Sequence, residues 1–148
     1  SEIADFSPAA RAYSGTVAYE TAFESASDSA TLDLGRVEDI AVVYVNGRKV
    51  RTLWCEPYVC DVTGFVRKGR NDLRVEVTGT WHNRVFFDQT RPEHERKTWT
   101  IYHRSPERNI LSKLIPQGLL GPVAINECSR GLSPKRNGLG TDHPWGVR

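Results

Sequence analysis

The stretch VTGTWHNRVFFD, residues 77–88, sets an indole, an imidazole, an amide and a guanidinium side by side at Trp81, His82, Asn83 and Arg84. An aromatic face with polar groups at its rim is the arrangement that takes a sugar ring. The indole covers the C–H patches, while amide, carboxylate and guanidinium groups take the hydroxyls. Trp54, Tyr58 and Trp99 stand in other loop segments and extend the set. The candidate ligand-binding residues are therefore Trp54, Tyr58, Trp81, His82, Asn83, Arg84 and Trp99. A structural reading competes. Trp54 and Trp81 end strands, where a large ring caps the core, and Asn83 and Arg84 can satisfy backbone groups of a long loop. On that reading Trp81 closes the core, so alanine there lowers the melting temperature, whereas alanine at Arg84 leaves folding intact.

Catalysis finds less support. Cleavage of a glycosidic bond needs two carboxylates held ~5–10 Å apart across it. The acids of the irregular stretch, Asp88, Glu93, Glu95 and Glu107, sit among Arg, Lys and His, where solvated ion pairs form. Neither a Gly-x-Ser-x-Gly elbow nor a His-Glu-x-x-His pair occurs. His82, His94, His103 and His143 are scattered, none at the i, i+4 spacing of a helical metal site. Asp28, Asp33 and Asp61 lie near turns but form no calcium-loop run, so no cofactor is expected and calcium stays unassigned.

The chain that must position these groups has 148 residues, 39% hydrophobic and 26% charged, enough for one domain with its own core. Twenty basic residues against eighteen acidic ones, a net charge of +2, give no electrostatic case for nucleic acid or an anionic membrane. The basic clusters RKGR (67–70) and SPKR (133–136) read as solvated turns. The longest apolar run, IAVVYV (40–45), is strand length, far short of the ~20 residues of a membrane helix. The N-terminal SEIADFSPAA lacks the basic start and apolar centre of a signal peptide, and beginning on Ser it reads as part of something longer. Cys55, Cys60 and Cys128 are odd in number and hold no Cys-x-x-Cys pair, so three reduced thiols are expected.

Strand periodicity dominates. GTVAYETAFES (15–25) alternates through Val17, Tyr19 and Phe23, and ATLDLG (30–35) is a short strand stopping at Gly35. VEDIAVVYVNGRKVRTLW (37–54) is two runs joined at Asn46-Gly47, the pair that best fills the two left-handed positions of a type I′ hairpin. Asp61-Val62-Thr63 leads into a corner, RKGRN reads as a second tight turn, and DLRVEVTG points Leu73, Val75 and Val77 inward. From Trp81 to Pro116 the pattern lapses into a long irregular flap. LLGPVAINE (119–127) returns to strand character, and the Gly- and Pro-rich remainder reads as a tail. The expectation is an all-β, two-sheet antiparallel sandwich over residues 13–128, with a lead-in at 1–12 and a tail or linker at 129–148.

The segments YSGTVAYETAFE, LDLGRVEDIAVVYVNGRKVRTLWCEPYVCDVTGFVRKGRNDLRVEVTGTWHNR and LIPQGLLGPVAI carry a family likeness. Over about residues 13 to 126 the chain resembles the galactose-binding-like β-sandwich domain of glycoside hydrolases. It is most similar to the C-terminal sandwich of family 106 alpha-L-rhamnosidases and more distantly to the sugar-binding domain of family 2 enzymes. Cys55 and Cys60 flank the Pro-Tyr segment where that family has apolar or small residues. The resemblance implies a jelly-roll of about eight strands that is no enzyme by itself, packed on a catalytic barrel outside this chain. Its implied partners are a plant or bacterial carbohydrate and that catalytic domain, with no nucleic acid and no membrane. Two roles follow from the likeness: carbohydrate recognition at the loop end, or a structural domain that buttresses the barrel without binding sugar.

Overall fold

The Asn46-Gly47 hairpin organises the larger sheet. In the computed structural model, which describes residues 12–89, 91–100 and 114–127, Asn46 has φ 51° and Gly47 φ 75°, both left-handed as a type I′ turn demands. The turn joins β4 (Ile40–Val45) to β5 (Arg48–Leu53). β4 buries Ala41, Val43 and Val45 and turns Val42 and Tyr44 outward, the alternation of a strand with one covered face. β7 (Gly69–Thr78) lies on its other side and buries Leu73, Val75 and Val77. β1 (Thr16–Ser25) completes the order β1-β7-β4-β5. Every pairing in this sheet is antiparallel.

The opposing layer is built from shorter pieces. β2 (Ala30–Asp33) pairs with β6 (Val59–Asp61) and β9 (Ala124–Glu127), and β3 (Arg36–Glu38) pairs with β8 (Gly118–Gly121). Ala30, Leu32, Leu34, Cys60 and Val62 from this layer meet Val43, Val45, Leu73, Val75 and Val77 in one apolar cluster. Each buried Val or Leu contributes about 1.5–3 kcal/mol, so this cluster is the main stabilising term. The result is the all-β antiparallel sandwich that the alternation predicts.

Three local expectations need correction. The RKGRN turn is shorter than its composition suggests, because β7 already begins at Gly69 and Asn71 is buried within it. LLGPVAINE is not one strand: it breaks at Pro122-Val123, leaving β8 and β9 in different sheets. The flap from Trp81 opens with an eight-residue helix, α1 (His82–Gln89), and a single 3-10 turn at Glu93–Glu95. α1 showed no apolar stripe because its two buried residues are polar, Asn83 and Asp88. Cys55 and Cys60 are free thiols, one exposed and one buried. The tail 129–148, the lead-in up to residue 11, His103, Glu107, Cys128 and His143 lie outside the described residues.

Gly35 locks together two connections of the shorter-stranded layer, β2 to β3 and β8 to β9. It sits at φ 62°, bridged to Gly121, and a Cβ there would meet the Pro122 carbonyl oxygen at 2.5 Å and the Gly121 carbon at 2.6 Å. Both obstacles are backbone and cannot swing aside. Gly35→Ala is therefore expected to cost about 2 kcal/mol or more, read as a lowered midpoint in chemical denaturation. An unchanged midpoint would show that this corner can relax.

Candidate functional site

Strand register places Trp54, Tyr58 and the 81–84 segment at one end of the sandwich. Thr78, the last residue of β7, is paired with both Ile40 and Thr16, and Leu53, the last of β5, is paired with Ala41. The chain therefore leaves β5 toward Trp54 and Tyr58, and leaves β7 toward Trp81, at the same pole. Asp39 ties these exits together. Its backbone carbonyl accepts the Tyr58 hydroxyl at 2.7 Å, and its Oδ2 accepts the Thr80 N–H at 3.2 Å. It does so at φ 80°, a left-handed conformation that Asp tolerates better than most residues. Sequence reading missed Asp39, which follows Glu38 inside a stretch read as one strand run.

Tyr58 belongs to the core, with its ring buried and only its hydroxyl directed at Asp39. Burial, then the nearby Asp39 carboxylate, push the pKa of that hydroxyl up and keep it a neutral donor. Trp81 does not close the core. It is 65% exposed, because β7 stops three residues earlier and the large buried ring at this end is Tyr58. Trp54 is 74% exposed for a reason of parity: Leu53 points inward, so the next side chain points out. Trp99 is 85% exposed.

Asn83, Arg84 and Asp88 order the segment behind these rings. The buried Asn83 amide donates to the Ile115 carbonyl at 2.7 Å and accepts the Ile115 N–H at 2.9 Å, matching both backbone groups of one residue. Nearby, the Gln117 amide donates to the Thr80 carbonyl at 3.4 Å. Asp88, only 1% exposed, accepts two bonds from Arg84, at 2.6 and 3.2 Å. It also accepts the Lys97 N–H at 2.9 Å and the Thr98 N–H and hydroxyl, each at 2.8 Å. Burial pushes its carboxyl up, but the bonds from Thr98, Arg84 and the Lys97 and Thr98 amides outweigh that and hold it below the usual carboxylate range. His82 is half-buried at the start of α1, and its Nε2 has no hydrogen-bond partner among the described residues.

The exposed face of this end is thus aromatic, and Asn83, Arg84 and Asp88 beneath it are locked by internal bonds. The expected stability order is the reverse of the one drawn from sequence. Trp81→Ala should change folding free energy by no more than about 0.5 kcal/mol. Arg84→Ala, which strips the buried Asp88 of its cation, should cost about 2 kcal/mol. Paired thermal melts of the two variants decide between the orders.

The remaining chemistry is sparse. Asp88 is wholly engaged, and Glu95 is paired with Arg91. Among the described residues no group of three or more His, Cys, Asp or Glu could hold a metal ion. No helix among them is long and apolar enough to cross a membrane.

A two-layer antiparallel sandwich of this kind is the architecture of galactose-binding-like domains. Residues 8–114 match the family model described as glycosyl hydrolase 2 galactose-binding domain-like, and the chain belongs to that family. The solved structure of a rhamnosidase from Novosphingobium sp. PP1Y superposes with a TM-score of 0.72 at 37% identity, over 83% of this chain and 12% of that one. A Formosa agariphila protein bearing the provisional name of a beta-glucuronidase is 36% identical over 140 residues, 77% of this chain and 12% of its own length. The chain thus spans about 12% of each of these relatives.

Proposed function

We propose that this chain is a non-catalytic carbohydrate-recognition domain of a glycoside hydrolase, and that the catalytic domain lies outside it. Family membership supports the accessory role. The observation that carries sugar recognition is the exposure of Trp54 and Trp81 where β5 and β7 leave the same end of the sandwich. Two large indoles exposed at one end are an unfavourable use of apolar surface unless something flat and partly apolar covers them. A pyranose ring does so, while Arg84, bound to Asp88, holds the segment beneath Trp81. Tyr58 and Asn83 support that surface from below.

A second reading has its own observation. Ile40 is also exposed, one residue beyond the Ala41–Leu53 pair on its strand, as Trp54 is on its own. That apolar pair suits a dry contact with a neighbouring domain, which would make the chain a buttress for the catalytic unit.

Titration with L-rhamnose, D-galactose, D-glucuronic acid and their oligosaccharides, followed by tryptophan fluorescence and calorimetry, separates the two. Recognition predicts a saturable change that Trp81→Ala or Trp54→Ala weakens about tenfold, on the scale of one lost stacking contact. No heat with any of these sugars would leave the buttress reading standing.

A further inference from the structure

The outward face of the large sheet carries a second feature, at the other end from the exposed indoles. A groove of about 620 Å³ runs over β1, β7 and β4 toward Gly47, lined by Glu20, Ala22, Tyr44, Arg70, Asp72, Arg74 and Glu76 among others. Its size lies within the ~300–1,000 Å³ of small-molecule sites. Register explains its shape. Arg74 is paired with Glu20 on one side and Tyr44 on the other, so these three form a row across the strands. In the next row Asp72 is opposite Ala22, whose small side chain leaves the floor low. From Arg70 to Glu76 the trench follows six residue steps of β7, about 20 Å.

The polar groups of this trench hold each other in place. Arg74 bonds Glu20 at 3.1 Å and Glu76 at 2.6 Å, and the Tyr44 hydroxyl donates to the other Glu76 oxygen at 3.2 Å. Arg74 and Glu20 remain 50% and 65% exposed, so these bonds leave donors and acceptors open to a ligand. Its charge nearly cancels, with Arg70 and Arg74 against Glu20, Asp72 and Glu76. A polyanion would face three carboxylates, and a polycation two guanidinium groups. A neutral ligand rich in hydroxyls meets neither cost and uses both kinds of group. The Tyr44 ring and the Ala22 methyl supply surface for C–H patches.

We infer that this trench is a binding site for a neutral, linear saccharide, separate from the loop-end site. The inference does not depend on the loop-end reading, and the test keeps them apart. The ¹⁵N-labelled 148-residue chain is titrated with xylohexaose, trigalacturonate and a lysine-rich peptide, and its amide shifts are followed to about 1 mM ligand, the weak end of specific binding. Xylohexaose should shift the amides of Ala22, Tyr44 and Arg74. Tyr44→Ala and Arg74→Gln should each weaken the response about fivefold, the value of one ring or one charged contact. Tyr44→Phe, which keeps the ring and the fold, should lose less than Tyr44→Ala. Trp81→Ala should leave these shifts unchanged. No shift of groove amides with xylohexaose, or shifts only with trigalacturonate or the peptide, would overturn the assignment. Shifts abolished by Trp81→Ala would do the same, moving the ligand to the loop end.

Discussion

Asn71→Leu is expected to destabilise the sandwich by about 3 kcal/mol, and to lower its melting temperature by roughly 10 °C on the usual scaling for a chain of this size. The two side chains share one branched skeleton, so no cavity forms; the cost is the lost hydrogen bonds plus the strain of methyl groups set against polar atoms. Asn71 is fully buried. Its amide donates to the carbonyls of Arg67, at 2.7 Å, and Gly69, at 2.8 Å. Its carbonyl accepts the Arg67 N–H at 2.9 Å and the Asn46 amide at 2.8 Å. Leucine removes all four partners at once, and several of the groups left behind are shielded from water. Asn46 then loses one of its anchors, though it still reaches the Phe65 carbonyl and the Asp72 N–H. Because Asn46 supplies the first left-handed position of the β4–β5 hairpin, the damage spreads from the 67–70 turn to that hairpin. Asn71→Asp is the sharper control: it keeps the shape and the acceptor but cannot donate to either carbonyl. A melting temperature for Asn71→Leu within about 3 °C of wild type would mean that water replaces the lost partners.

What the sequence displays depends on the range of the interaction. The Asn46-Gly47 hairpin is legible because two adjacent residues with special backbone freedom determine it, and the alternation of β4 and β7 because one covered face repeats every second residue. Asn71 is not legible: within RKGRND it has the composition of a turn, and its burial and its bond to Asn46, 25 residues away, leave no local mark. α1 is hidden for the same reason. Asn83 and Asp88 find their partners at Ile115, Lys97 and Thr98, so no local apolar period announces the helix. The error at Trp81 is one of counting. A strand assumed to run as far as the indole would bury it, but β7 stops at Thr78, and the residue that fills this end, Tyr58, comes from a different loop. The polar and aromatic residues of the loop end could be named from sequence. Which of them face solvent and which hold the others required the register of four strands.

Asp88→Ala should release the segment that carries Trp99 while leaving the sandwich folded. None of the residues of α1 belongs to the apolar core cluster, so α1 stays in place through its polar anchors. Asp88 is the centre of these, joining Arg84 on α1 to Lys97 and Thr98 just before the exposed indole. Removing it leaves a mostly buried guanidinium without its anion, 16% exposed, and two backbone N–H groups without an acceptor. The expected local cost is about 3 kcal/mol, seen as faster amide exchange across residues 82–89 and at Lys97 and Thr98, with β4 and β7 amides still protected. The same bonds give a dependence on pH. Because the folded carboxyl is held below its ordinary value near ~4, its contribution is fully present above that value. It is lost as pH falls from there through the lowered one. Wild-type exchange in α1 should therefore accelerate in acid relative to the core. Asp88→Asn, which cannot titrate, should show a flat difference over the same interval, from a lower starting stability. If wild type and Asp88→Asn respond alike to acid, another group governs this segment, and Asp88 cannot be what positions Trp99.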